Sequence, residues 1–337
     1  MRGPYAPFEG NPILTQRNLD PHREHPVTCT GHADLVETVS GEWWGVFLGC
    51  RPYPPYERGY YNTGRETFIA PVRWKNDWPA VDPEHAQIQF RYPLRSDMGV
   101  SGQVPRGGNV LFRDDFSGSS LGAGWLFLRT PRESWHSLSE RAGFLTMRVR
   151  PETCDGPGNP SFLGHRQQHT NGYASLSLDF LPETENEKAG LLLFQSERHY
   201  YYLCKSLAGG KPAVQLYQGG PDAGHPMKLL AEERLEGASM NAGLMLKAEA
   251  RGSRYAFFYA AAHGSWRLLK DSVDASYLST KVAGGFVGSL YAMYATSLGA
   301  PSGNRASFDW FEAAGNDDLY GTMTPVNSRS TQSQEVR

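Results

Sequence analysis

The chain has 337 residues, and 33 Lys and Arg against 35 Asp and Glu leave a formal charge of −2. That balance argues against nucleic-acid binding, which draws on a clustered cationic surface. Eight Trp and 17 Tyr argue against a disordered chain, and no apolar run approaches the ~18–20 residues of a membrane span.

Length suggests about two domains, at ~100–200 residues each. With 37 Gly and 23 Pro, many short strands and turns are expected. The opening residues 1–10 lack a basic segment followed by an apolar core, so they do not read as a signal peptide, and localisation is left open. Residues 32–39 and 43–48 read as two strands around the polar turn Ser40-Gly41-Glu42. Residues 66–74 and 78–81 repeat the pattern around Lys75-Asn76-Asp77. Four antiparallel strands in sequence are what one propeller blade needs. A lone blade must pack its faces on neighbours, so something outside this stretch is required.

Residues 96–110 read as a Gly/Pro/Ser linker, and residues 111–315 as all-β. Strand patterns fall at 174–180, 189–195, 200–204, 244–250, 255–259 and 286–294, with Gly209-Gly210-Lys211 marking a hairpin. No amphipathic helix of ten residues or more is evident. A two-sheet sandwich satisfies this pattern, because paired sheets bury alternating faces against each other. The polar residues 316–337 read as a disordered tail.

Few residue patterns carry chemistry by themselves. Cys29, Cys50, Cys154 and Cys204 are too dispersed for a disulfide scaffold or a zinc site, though Cys29 and Cys50 flank a hairpin and can come together. His32, beside Gly31 at a strand start, suits either a structural hydrogen bond or an ion, since neutral imidazole is a common metal ligand. Arg65 offers a planar fork for sugar hydroxyls or a carboxylate, while Glu66 on a strand points to the opposite face. Trp43 and Trp44 suit a core, and the loop residues Tyr53 and Tyr56 suit exposure. Asp114 and Asp115 are sequence neighbours that diverge on a strand, which makes a poor catalytic dyad. Glu183, Glu185 and Glu187 read as a solvated loop. Phosphate-loop, zincin, nucleophile-elbow and EF-hand motifs are absent from the sequence.

Several segments in register are specific enough to suggest a family. Residues 11–15 (NPILT), 31–36 (GHADLV), 41–44 (GEWW) and 64–68 (GRETF) resemble the end of the catalytic propeller of glycoside hydrolase family 43. The similarity is to its β-xylosidase/α-L-arabinofuranosidase branch. Residues 115–118 (DFSG), 166–169 (RQQH), 187–191 (EKAGL), 199–201 (HYY) and 308–311 (FDWF) resemble the concanavalin-like sandwich that follows in that branch. The resemblance implies an all-β chain: a partial five-bladed β-propeller remnant over residues 1–95, then a concanavalin A-like β-sandwich.

In the family, an Asp base, an Asp that tunes the acid and a Glu general acid lie on earlier blades. At ~40–45 residues per blade, five blades exceed what precedes the linker here. None of the three carboxylates has a matching position, so no catalytic residue is carried over and the chain is expected to be inactive alone. A truncated or split reading frame is the expected cause. The resemblance implies that His32 lies near the propeller axis, close to the active site or a bound calcium ion. It implies that Arg65 contacts the −1 sugar. It also implies that a sandwich loop contributes an aromatic ring, for which Phe286 is the candidate. No required cofactor is implied. The implied partners are xylan- or arabinan-derived oligosaccharides, together with a chain that supplies the missing blades. The alternative is a carbohydrate-binding or interaction module built on the sandwich.

Overall fold

The strand pattern of the first 90 residues closes into one four-stranded antiparallel sheet in sequence order, as a propeller blade does. The computed structural model describes residues 3–93, 108–220, 227–236, 243–261, 264–320 and 324–327. All but the last three residues of the expected linker lie outside this set, as do residues 328–337 of the expected tail. Strand β1 (Thr28–Glu37) pairs with β2 (Trp43–Cys50), β2 with β3 (Glu66–Lys75), and β3 with β4 (Trp78–Val81). The β3–β4 connection holds Asn76 and Asp77 at φ 50° and 61°. A two-residue turn with both residues left-handed matches the right-handed twist of its strands, and Asn and Asp tolerate that conformation best after Gly.

One face of the blade carries Phe47, Ala70, Val72, Val81 and Ile88 as its buried core. Leu35, Trp43, Phe68 and Tyr92 pack around them, with Ile13 and Leu14 arriving from the preceding irregular segment. Of the two tryptophans expected in a core, Trp44 is buried and Trp43 half-buried; Phe47 is buried and Phe68 half-buried. The exposed large apolar residues of the blade are Val36 and Ile69, Trp74 and Trp78, with Val39 in the turn after β1. The few buried apolar side chains of this region, worth about 1.5–3 kcal/mol for each large one, do not offset ordering so many residues at ~1–2 kcal/mol apiece. The blade therefore draws its stability from what it packs on.

The rest of the described chain is two packed antiparallel-rich sheets. The first runs in the order Arg267–Asp274, Arg254–Ala261, Leu244–Arg251, Asn171–Asp179, Arg305–Gly315, Val110–Asp114, Thr324–Asn327. The second runs Lys228–Arg234, Lys211–Gln218, His199–Ala208, Lys188–Ser196, Leu290–Thr296, Ser161–Arg166, Leu126–Phe127. Leu176, Leu191, Leu203, Leu246, Phe257, Met293 and Phe308 fill the space between them. The second sheet is also covered on its outer face, by a cluster of Cys154, Phe162, Leu192, Phe194, Tyr202 and Tyr294. Burial on both faces explains the continuous apolar run in Lys188–Ser196, where alternation would be expected of a half-buried strand. Gly209 and Gly210, at φ 58° and 74°, make the hairpin turn expected there.

The fold is all-β: a propeller blade followed by a concanavalin A-like sandwich. Among the described residues the one α-helix is the single turn Thr280–Ala283, and no helix is long and apolar enough to cross a membrane. Three local expectations need correction. The strand expected from 286 begins at Leu290, because residues 284–289 form a glycine-rich loop with Gly284 and Gly285 at positive φ. The tail is ordered past 315: Asp317 is buried, Asp318–Tyr320 forms a 3₁₀ turn, and Thr324–Asn327 adds a parallel strand beside Val110–Asp114. Glu187 is not solvated. Burial works to raise its carboxyl, but Ser302 Oγ, Glu183 N–H and Asn304 Nδ2 donate to it and hold it below the usual range.

Candidate functional site

Residues 51–65 leave the blade at the end of β2, cross to the sandwich and return at the start of β3. Each end of this excursion is locked. Arg51 Nε and Nη2 donate to both oxygens of Glu66 at 2.9–3.1 Å. Its Nη1 donates to Asp317 Oδ2 at 2.8 Å and its Nη2 to the Gln168 carbonyl at 2.8 Å. Burial works to lower the Arg51 guanidinium, and Glu66 with Asp317 more than reverses it, so the charge is secure. Asp317 in turn accepts from the backbone N–H groups of Thr170 and Asn171. One arginine thus joins the blade, the 166–169 segment and the chain after the last long strand.

The middle of the excursion is held by Asn62. Its Oδ1 accepts from the Tyr53 hydroxyl at 3.0 Å. Its Nδ2 donates to Tyr255 Oη at 2.7 Å and to the Ala275 carbonyl at 2.9 Å. Tyr255 donates onward to Gln167 Oε1. Tyr53 is therefore buried rather than exposed, its Cβ beside Gly252 of the sandwich, while Tyr56 is half-buried.

A sandwich loop meets the return leg. The Tyr61 N–H donates to Ser279 Oγ, the Thr280 N–H to the Tyr61 carbonyl, and the Ser289 N–H to the Asn62 carbonyl. Gly64, at φ 72°, lies directly on Gly288, and a Cβ on either would overlap the other strand of backbone. This close approach sets the next residues side by side. Arg65 is exposed, and its guanidinium carbon lies 3.9 Å from the centroid of the Phe286 ring, which is 66% exposed. Glu66 faces the other way, into Arg51, as strand alternation requires. The ion pair open to Arg65 on sequence grounds thus belongs to its neighbours.

His32 is exposed at φ 50° within an irregular part of β1, where the pairing with β2 slips between Gly31 and Asp34. Among the described residues no group of three His, Cys, Asp or Glu is gathered as a metal would need. Asp114 accepts from the Phe116 N–H and Trp125 Nε1, and Asp115 from Ser117, so both acids do structural work at a turn.

Residues 113–314 match the family described as beta xylosidase C-terminal concanavalin A-like domain, and residues 1–79 match glycosyl hydrolases family 43. The chain belongs to glycoside hydrolase family 43. It corresponds to the C-terminal part of such proteins. A non-reducing end alpha-L-arabinofuranosidase from Bacteroides ovatus is 33% identical over 313 residues, covering 92% of this chain and 55% of the relative. A xylosidase/arabinosidase from Butyrivibrio fibrisolvens is 31% identical over 308 residues, covering 90% and 56%. The solved Bacteroides ovatus xyloglucan PUL GH43B superposes with a TM-score of 0.80 at 34% identity, covering 92% of this chain and 58% of that one. The chain spans a little over half the length of these relatives.

Within this family 43 chain, sequence reading singled out Arg65 and Phe286, and the fold brings them into contact. It missed Arg51, Asn62, Glu66 and Asp317 as a set. Arg51 alone carried a signal, as a charged residue directly after an apolar strand and before Pro52.

Proposed function

We propose that this chain forms the closing wall of a sugar-binding site in a family 43 glycosidase acting on α-L-arabinofuranosides or β-xylosides. Arg65 and Phe286 are the residues of that wall. The guanidinium fork donates to sugar hydroxyls, and the ring offers a flat apolar face to the sugar. The single observation behind this reading is the Arg65–Phe286 contact, made across the junction of blade and sandwich. His32 would sit deeper along the same blade, toward the propeller axis.

Hydrolysis in this class needs a general acid at the leaving oxygen and a base that activates water. We assign neither to this chain: among the described residues, the carboxylate next to Arg65 in sequence is Glu66, and it faces Arg51. Glu66 is consumed by Arg51 and Thr63. The acid and base would come from further blades, whether in the same polypeptide or a partner chain. Those blades would cover Val36, Ile69, Trp74 and Trp78. Calcium takes about 6–8 oxygen ligands, and the described residues around His32 do not supply them, so no step is routed through a metal.

The test is turnover of p-nitrophenyl α-L-arabinofuranoside and p-nitrophenyl β-D-xyloside by the purified chain. No release is expected from the chain alone. Release is expected when it is joined to blades carrying the acid and base, and the Arg65→Ala change should abolish that gain. Turnover by the chain unaided would overturn the assignment.

A further inference from the structure

Arg65 and Glu66 turn opposite ways from the start of β3, so the junction of blade and sandwich has a second side. On the Arg51 side a cleft of about 180 Å³ opens between the two. Its floor is the buried Arg51–Asp317 pair, held in place by hydrogen bonds with Gln168, Thr170 and Asn171. Tyr56 and Phe90, both half-buried, line it from the blade, and His25 sits edge-on to Phe90 with ring centroids 6.4 Å apart. Thr170, Asn171 and Gly252 line it from the sandwich, and Asp318 stands at its end. At about 30 Å³ for each molecule of liquid water, the cleft has the room of roughly six waters, which is space for one small ring bearing hydroxyls.

A second hollow, of about 500 Å³, adjoins the first and shares Asn171 and Asp318 with it. It runs on over the first sheet past Tyr173, Glu249 and Arg251. Most of the charge in the two hollows is already spent. Arg51 is paired with Glu66 and Asp317, and Glu249 with Lys247 and Arg251. Asp318 is exposed and has no ion pair among the described residues. Among those residues the side-chain oxygens of Tyr56, Thr170 and Asn171 likewise take no part in a protein hydrogen bond, and none of the four side chains is sealed from solvent.

This lining selects among ligands. A row of oxygens able to accept hydrogen bonds, one of them an unpaired carboxylate, asks for a ligand rich in donors. An anionic polymer would meet Asp318 as a like charge. An apolar peptide would leave the polar groups dehydrated and unpartnered. A sugar chain supplies hydroxyl donors for these oxygens and a flat C–H face for a ring such as Tyr56 or Phe90. Two adjoining hollows that share a pair of residues suit consecutive units of one chain.

We propose that the two hollows form an accessory site for a neutral oligosaccharide of pentose units, with one unit in the cleft, the next over the second hollow, and Asp318 accepting from hydroxyls of both. The choice of pentoses rests on the family 43 reading, while the site itself rests on the two hollows. It lies across β3 from the Arg65–Phe286 wall, and it holds a stretch of the polymer rather than the bond to be cut.

The experiment titrates the full chain with xylotriose and with arabinotriose by calorimetry, and follows backbone amides by NMR in a labelled sample. Saturable binding of at least one trisaccharide is expected, with shifts at the Asn171 and Gly252 amides that exceed any at the Ser289 amide of the Phe286 loop. Asp318→Ala should weaken this binding about tenfold, the loss of a hydrogen bond to a charged group. The shifts at Asn171 and Gly252 should persist in Arg65→Ala, which alters the other wall, so failure of the sugar-wall reading and failure of this one are read separately. The proposal fails if neither trisaccharide binds to saturation, if the larger shifts gather at Ser289, or if Asp318→Ala binds as the unaltered chain does. Butylammonium shifting the Asn171 and Gly252 amides more strongly than either sugar would assign the cleft to a cation and overturn it. The amide shifts of the unaltered chain decide the matter where a variant does not fold.

Discussion

Arg51 and Asp317 stand 266 residues apart in sequence, yet Arg51 Nη1 donates to Asp317 Oδ2 at 2.8 Å between two buried side chains. Glu66 takes the other edge of the same guanidinium. The blade and the end of the sandwich are therefore fastened by one charge with two counter-charges. Asp317→Ala should cost about 3 kcal/mol, since breaking a buried ion pair strands the remaining charge, and Glu66 keeps the loss from being larger. Chemical denaturation of the full chain reads this. A loss below about 0.5 kcal/mol, the scale of an ordinary surface change, would mean that the contact does not carry the junction.

Gly64 and Gly288 make the second fastening. At Gly64 the left-handed backbone already disfavours a side chain, and the added Cβ would overlap Gly288 N and the Val287 carbonyl carbon. Neither obstacle is a flexible side-chain end, so the loop itself must move. Gly64→Ala should lower the midpoint of thermal unfolding and separate Arg65 from Phe286. Loss of protection at the Ser289 amide in hydrogen exchange is the local check, because that N–H bonds the Asn62 carbonyl only when the loop is docked. Unchanged protection at Ser289 would show that the close approach is dispensable.

Local signals in the sequence were readable because local physics decides them. The turns at Asn76-Asp77 and Gly209-Gly210 need left-handed residues, and those residues are present. The blade strands and the Phe308-Asp309-Trp310-Phe311 strand show it equally, for their apolar spacing survives packing. The junction was hidden for the opposite reason. Asp317 sits in a polar stretch that reads as tail, and only the return of Arg51 across the fold makes it buried. Tyr53 lies between prolines and reads as an exposed loop ring, until Asn62 takes its hydroxyl. Arg65 and Phe286 were legible through family likeness alone, since nothing in their spacing brings them together.

His165 gives the chain an acid-sensitive point inside the sandwich. Its ring stacks on Phe112 at 4.2 Å and is edged by Trp125. Burial lowers it to about 4, with nearby His169 adding to the effect. The unfolded chain, near the ordinary value of about 6.5, binds a proton across the interval where the native state does not. Stability should therefore fall as pH drops from about 6.5 to 4, by roughly 3 kcal/mol at most, and level off below. His165→Leu should flatten that interval in denaturation midpoints measured from pH 7 to 4. An equal slope in the variant would place the acid sensitivity elsewhere.

Dividing the chain tests which half holds the other. The sandwich retains its two-sheet core and the Tyr255–Gln167 bond without the blade, so residues 108–327 should fold alone and melt cooperatively. Its midpoint should lie below that of the full chain, because Asn62, Arg51 and Tyr61 no longer bond to it. Residues 1–95 lose those anchors and keep only the small core around Phe47 and Val72. They would also present Val36, Ile69, Trp74 and Trp78 to solvent along with the uncovered Pro52–Tyr53 surface, and large exposed apolar patches promote association. The blade fragment should therefore be recovered only as aggregate, or in solution without a melting transition. A monomeric, cooperatively melting blade would show that its core suffices, and that the interlock with the sandwich positions Arg65 without supplying the stability of the sheet that carries it.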